Sequence, residues 1–121
     1  MSIHTALIDE LKHEASNTRK ILAGIPEEEF SWKPHEKSMS LLRLACHIAE
    51  LPQWIGHIMT GTEFDFARDI FNRINVSSRD ELLEVFELTL ERAVEFLGKA
   101  SDEELNMRWT LRRAELMRFE L

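Results

Sequence analysis

The sequence predicts an all-α fold: an up-down, antiparallel bundle of three long helices, with a fourth short or missing. Three observations carry this. Apolar residues recur at spacings of three and four over 2–24, 39–60 and 79–99. Helix-stopping residues follow each of these runs: Gly24 with Pro26, then Gly61, then Gly98. Alternation at a period of two is confined to the last few residues. Helices with one apolar stripe each bury it by packing side by side.

The first helix is expected over 2–24, with Ser2 as N-cap and a stripe of Ile3, Leu7, Leu11, Thr18, Ile21 or Leu22, and Ile25. Glu14 falls within this stripe, either at its edge or with a partner. Residues 25–40 form a connection containing two prolines, in which Phe30 and Trp32 are expected to fold back onto the core. Ser38 or Ser40 can cap a second helix from about Met39 to Thr60, in which Leu41, Leu42, Leu44, Ala45, Cys46, Ile48 and Ala49 read as the buried side and Leu44, Ile48, Leu51, Ile55 and Ile58 as the main seam. Pro52 lacks a backbone donor and should kink this helix. Residues 61–77, including Phe64, Phe66, Ile70, Phe71, Ile74 and Val76, read as a loop with one short helical turn.

Ser78-Arg79-Asp80-Glu81 is a capping-box sequence that opens the third helix, whose seam is Leu82, Phe86, Thr89 or Leu90, Ala93 and Leu97. Ser101-Asp102-Glu103-Glu104 is a second such box, ahead of a short turn toward Met107. The tail is ambiguous. Met117, Phe119 and Leu121 alternate as in a strand, whereas Leu111, Ala114 and Met117 suit a helix.

The 121 residues suit a single domain over 1–121, large enough to bury a core without staples. The formal net charge of −7 opposes nonspecific attraction to nucleic acid and to anionic membranes. Arg108, Arg112, Arg113 and Arg118 read as a solvated charged face. No run reaches the roughly 18 apolar residues of a membrane span, and there is no signal-peptide pattern at the start. A lone cysteine, Cys46, has no partner for an intrachain disulfide, which favours a reducing, cytoplasmic setting.

Chemistry-bearing residues are sparse. There is no glycine-rich phosphate loop, nucleophile elbow, zinc-ribbon cysteine set or HxxxH pair. Metal ligands must converge on one point at about 2 Å. His47 and His57 lie about 15 Å apart along one helix, and His4 and His13 point to nearly opposite sides of another. Cys46 and His47 are adjacent and diverge by about 100°, which makes them a poor chelate and a poor nucleophile–base pair. Cys46 therefore reads as a small core residue. His47 and Glu50 share a face, so the local reading of His47 is a partly buried imidazole bonded to a carboxylate or a carbonyl. Trp32, His47 and Trp54 could instead line a small-molecule pocket, although aromatic residues at such spacings more often pack in a core.

Ile25-Pro26, Glu28 or Glu29, Trp32, Pro34, Ser38, Ser40, Leu44, His47, Ile48 and Trp54 stand in a characteristic order. That order resembles the N-terminal half of the DinB/YfiT-like proteins, small bacterial four-helix bundles. The later SDEELNMRW resembles the segment after that family's third helix. The resemblance implies a divalent metal, zinc or nickel, held by three histidines: one on the second helix, matched here by His47, and two from an HxxxH on the last helix. It also implies dimerisation and, in some members, metal-dependent transfer of a small thiol such as glutathione, mycothiol or bacillithiol. No histidine follows Trp109 in this chain, so two of the three ligands have no counterpart, and the domain is expected to be incomplete at its C-terminus. The reading that follows is a degenerate, non-catalytic member that pairs with a second copy or another partner through an apolar helix groove. The alternative is a thiol S-transferase whose metal site is completed by residues outside this chain.

Overall fold

A computed structural model describes residues 3–69, 71–113 and 117–120. Ser2, Ile70, Ala114 and Leu121, which enter the sequence reading, lie outside the described residues. The fold is a helical bundle, as expected. Its long helices are α1 (Ile3–Ala23) and α4 (Arg79–Lys99), with α2 (Leu41–Glu50) and α3 (Gln53–Met59) forming the third rod in two pieces. A single turn of 3-10 helix (Glu27–Glu29) and the short helix α5 (Asp102–Leu105) complete the helical elements among the described residues. No helix among the described residues is long and apolar enough to cross a membrane.

Local chemistry explains where the rods begin and break. Ser40 caps α2 by accepting from the Arg43 N–H at 3.1 Å. Pro52 removes a backbone donor and forces a turn at Leu51–Pro52, so the expected kink is a full break between α2 and α3. Ser78 accepts from the Glu81 N–H at 3.1 Å and starts α4, and Ser101 with Glu104 closes a reciprocal capping box on α5.

Contacts along the rods fix their directions. Arg79 at the start of α4 donates to Ile25 O just beyond the end of α1, and Arg19 pairs with Glu87, so α1 and α4 are antiparallel. Thr89 donates to Ala49 O at 2.8 Å, and Phe96 lies against Gly56. The spacing is the same in both pairs, so α4 runs parallel to α2–α3, and the strictly up-down order expected from the sequence does not hold for these two rods. The segment 60–78 must therefore return the chain along the length of that rod.

The core joins Ala15 and Leu22 of α1, Ala45, Cys46 and Ala49 of α2, and Leu82, Phe86 and Leu90 of α4. The whole expected seam of α4 is buried: Leu82, Phe86, Thr89, Leu90, Ala93 and Leu97. Cys46 is a small core residue, as read from the sequence. Glu14 is exposed, at the edge of its stripe.

Three expectations need correction. On α2 the buried side is Ala45, Cys46, Ala49 and Glu50, whereas Leu44 and Leu51 of the expected seam are 44% and 42% exposed. On α1, Ile3 and Leu7 of the expected stripe are exposed, whereas of the alternatives Ile21 and Leu22 the second is buried, together with Ala15. Phe30 does fold onto the core, but Trp32 stays exposed.

The expected loop 61–77 also contains a strand, β1 (Glu63–Asp65), which pairs in parallel with β2 (Thr110–Arg113). The tail takes its extended alternative: β2 pairs antiparallel with β3 (Met117–Glu120), giving the order β1-β2-β3. Arg112 reaches Glu63 across the β1–β2 pair at 2.9 Å, which holds one of the four tail arginines in an ion pair. Phe64 of β1 and Trp109, just before β2, join an aromatic cluster around Trp54. Trp54 stacks on Phe71 at 4.7 Å and meets Phe64 at 5.0 Å and Trp109 at 6.2 Å, edge to face.

Candidate functional site

The site containing His47 is organised around Glu50, a carboxylate that is only 1% exposed at the C-terminal end of α2. A buried carboxylate is costly unless its oxygens are satisfied. Here Oε2 accepts from the Ile74 N–H at 2.9 Å and from Arg43 Nη2 at 3.0 Å. Oε1 lies 3.2 Å from His47 Nδ1 and 3.8 Å from Arg73 Nη1. Arg43 Nη1 also donates to Ile74 O at 3.1 Å. The Ile74 residue is thus gripped at both its N–H and its carbonyl, which pins the 72–76 segment to α2. One residue beyond Pro52, Gln53 adds a bond from Nε2 to Asn72 O at 2.8 Å.

Burial alone would raise the Glu50 pKa. The Ile74 N–H, the His47 and Arg43 hydrogen bonds and the Arg43 charge outweigh it and hold the carboxyl below its ordinary 4.5. Glu50 is therefore ionised and fully engaged. An ionised carboxylate only accepts, so His47 carries its proton on Nδ1. Nε2 is left as the ring nitrogen for other partners, on a side chain that is 45% exposed.

The sequence reading of His47 as an imidazole bonded to a carboxylate is the geometry observed. The remaining members of the network, Arg43, Arg73 and the Ile74 backbone, carried no sequence signal. The other residues singled out lie elsewhere. His57 belongs to the aromatic cluster, 4.7 Å from Phe64 and 5.8 Å from Trp54. Burial pushes its pKa below the ordinary 6.5 against the opposing charge of Asp69. His13 and His35 are exposed, and His4 is half-buried on α1. Trp32, His47 and Trp54 do not line the cavity between α3 and α4 or the one beside Met107 and Trp109.

The profile of the DinB superfamily matches residues 10–120. This chain belongs to the DinB superfamily. Comparison with curated proteins finds no match, and comparison with solved structures finds none.

The three-histidine metal set implied by the family resemblance does not fit the residues of this DinB-superfamily chain. Among the described residues, no group of three His, Cys, Asp or Glu side chains stands where it could hold an ion. The acidic neighbour of His47 is Glu50, whose two oxygens are already committed to Ile74, Arg43 and His47 itself. A single imidazole binds divalent metal weakly, because affinity depends on several donors placed in advance. Cys46, the adjacent thiol, is 2% exposed and faces the core.

Proposed function

We propose that this chain works as a non-catalytic member of the DinB superfamily, pairing with a second copy through the outward face of α2. The observation that supports this is the distribution of side chains around that helix. At about 100° per residue, Ala45, Cys46, Ala49 and Glu50 occupy the buried arc. Leu44, His47 and Leu51 occupy the opposite arc of about 60°, while Ile48 at its edge packs against the core. Leu44 and Leu51 are 44% and 42% exposed, and that arc carries no Asp, Glu, Lys or Arg. A helix that is apolar on both sides is a buried helix, so this outer face calls for a cover. A second copy supplies an identical apolar row, which is what a two-fold interface requires. The net charge of −7 makes two copies repel, so the attraction in this reading is apolar rather than ionic.

The test is a double substitution, Leu44→Glu with Leu51→Glu. Both side chains are already half in water, so the monomer fold should survive, with an unchanged far-UV circular dichroism spectrum. Sedimentation of the wild-type chain is expected to show a dimer, and that of the double variant a monomer. A double variant that stays dimeric would place the interface elsewhere.

A second reading rests on the His47–Glu50 bond. A carboxylate on Nδ1 is the arrangement that orients a metal-ligating imidazole and makes it more basic. On this reading the chain contributes one ligand to a divalent-metal-dependent thiol S-transferase, and the other ligands come from outside it. Equilibrium dialysis against zinc or nickel separates the two readings. The non-catalytic reading expects no tightly held metal and no effect of His47→Ala. Near-stoichiometric metal that is lost in His47→Ala would favour the transferase.

A further inference from the structure

A cavity of about 390 Å³ lies between α3 and α4, closed on one side by residues 72–74. Its size falls within the ~300–1,000 Å³ typical of small-ligand sites. Its walls are apolar: Val85, Leu88, Ala93 and Phe96 of α4 and Ile74 of the returning segment. Gly56 allows this shape. A Cβ there would stand 2.9 Å from the Phe96 ring, so a larger residue would push that wall away.

The polar part of the lining has one sign. Arg73 and Arg92 both line the cavity, with His57 and Gln53, and no Asp or Glu lines it among the described residues. The chain carries 22 acidic side chains against 15 basic ones, so a lining with two arginines and no carboxylate runs against the whole molecule's charge. Arg92 makes no ion pair among the described residues, and Arg73 has only the 3.8 Å approach to Glu50, whose oxygens are already satisfied. Both guanidinium groups thus remain able to form charge-assisted hydrogen bonds to an incoming anion.

We infer that this cavity binds a small amphiphilic carboxylate, with an apolar body between α3 and α4 and its carboxylate on Arg92 and Arg73. The inference is independent of the α2 interface, which lies on another element and uses none of these residues.

Isothermal titration of the full chain with octanoate, 1-octanol and octylammonium tests it, because the three share a body and differ in the charge of the head. Octanoate is expected to bind at least about fivefold tighter than octanol, and octylammonium weakest. Arg92→Gln should bring octanoate to within about twofold of octanol while leaving octanol unchanged. Leu88 is 46% exposed, so Leu88→Trp should keep the fold, checked by thermal unfolding, while filling the cavity and weakening octanoate and octanol together. Equal affinity for octanoate and octanol would overturn the proposal, as would octanoate binding that survives Arg92→Gln or Leu88→Trp. No detectable octanoate binding would overturn it as well.

Discussion

Glu50 shows how one side chain can hold two segments together. Its oxygens join α2 to residues 72–76 through the Ile74 N–H, with Arg43 and His47 sharing the charge. Glu50→Ala would strand a backbone donor and two cationic or polar groups. Because Arg43 and His47 can partly rehydrate, the expected loss is about 2–4 kcal/mol, read from urea unfolding. Glu50→Gln keeps an acceptor for Ile74 and should cost less. The pH dependence follows from the sign of the shift. The folded-state pKa is below the ordinary 4.5, so the contribution of Glu50 is complete above that value and is lost as pH falls through the depressed folded value. Glu50→Gln should flatten this acid limb. His57 acts at higher pH in the same sense. Burial first, with Asp69 opposing, places its folded pKa below 6.5, so its contribution is full above 6.5 and is lost as pH falls below it. His57→Phe should make urea midpoints measured above and below 6.5 more nearly equal. Of this site, the i, i+3 pair of His47 and Glu50 was legible in the sequence. Its other half was not, because a backbone N–H 24 residues from Glu50 has no side-chain signature.

At the level of elements, legibility depended on contrast between the faces of each helix. The seam of α4 could be read because Leu82, Phe86, Leu90, Ala93 and Leu97 alternate with charged residues on the other face. On α2 the large side chains Leu44 and Leu51 drew the seam toward the outer face, while the part of the reading that holds is the buried face of small residues, Ala45, Cys46 and Ala49. Their small size is what permits close packing on α4, and it also weakens their hydrophobic signal. The β1 strand was missed because it has three residues and pairs with partners 47 positions later, Glu63 with Thr110. Local sequence carries little information about such pairings. The caps were legible because their chemistry is local. Ser78→Ala should destabilise the protein by about 1 kcal/mol, since α4 packs on α1, α2 and α3. Ser101→Ala should leave global unfolding nearly unchanged and instead speed amide hydrogen exchange within α5, which has only four residues.

At the level of the whole molecule, the family and the bundle architecture agree with the sequence, while the face of α2 that looks outward gives the chain its proposed role. A dimer formed by apolar contact between two chains of charge −7 has a definite salt response. Salt screens the mutual repulsion and leaves the apolar contact intact, so association should tighten as ionic strength rises. An interface held by ion pairs would show the opposite trend. The most direct measurement is sedimentation equilibrium of the wild-type chain over a concentration series at low and high salt. The expected result is a reversible monomer–dimer equilibrium that shifts toward dimer with salt. A strictly monomeric chain throughout the series would contradict the proposal that α2 is covered by a second copy.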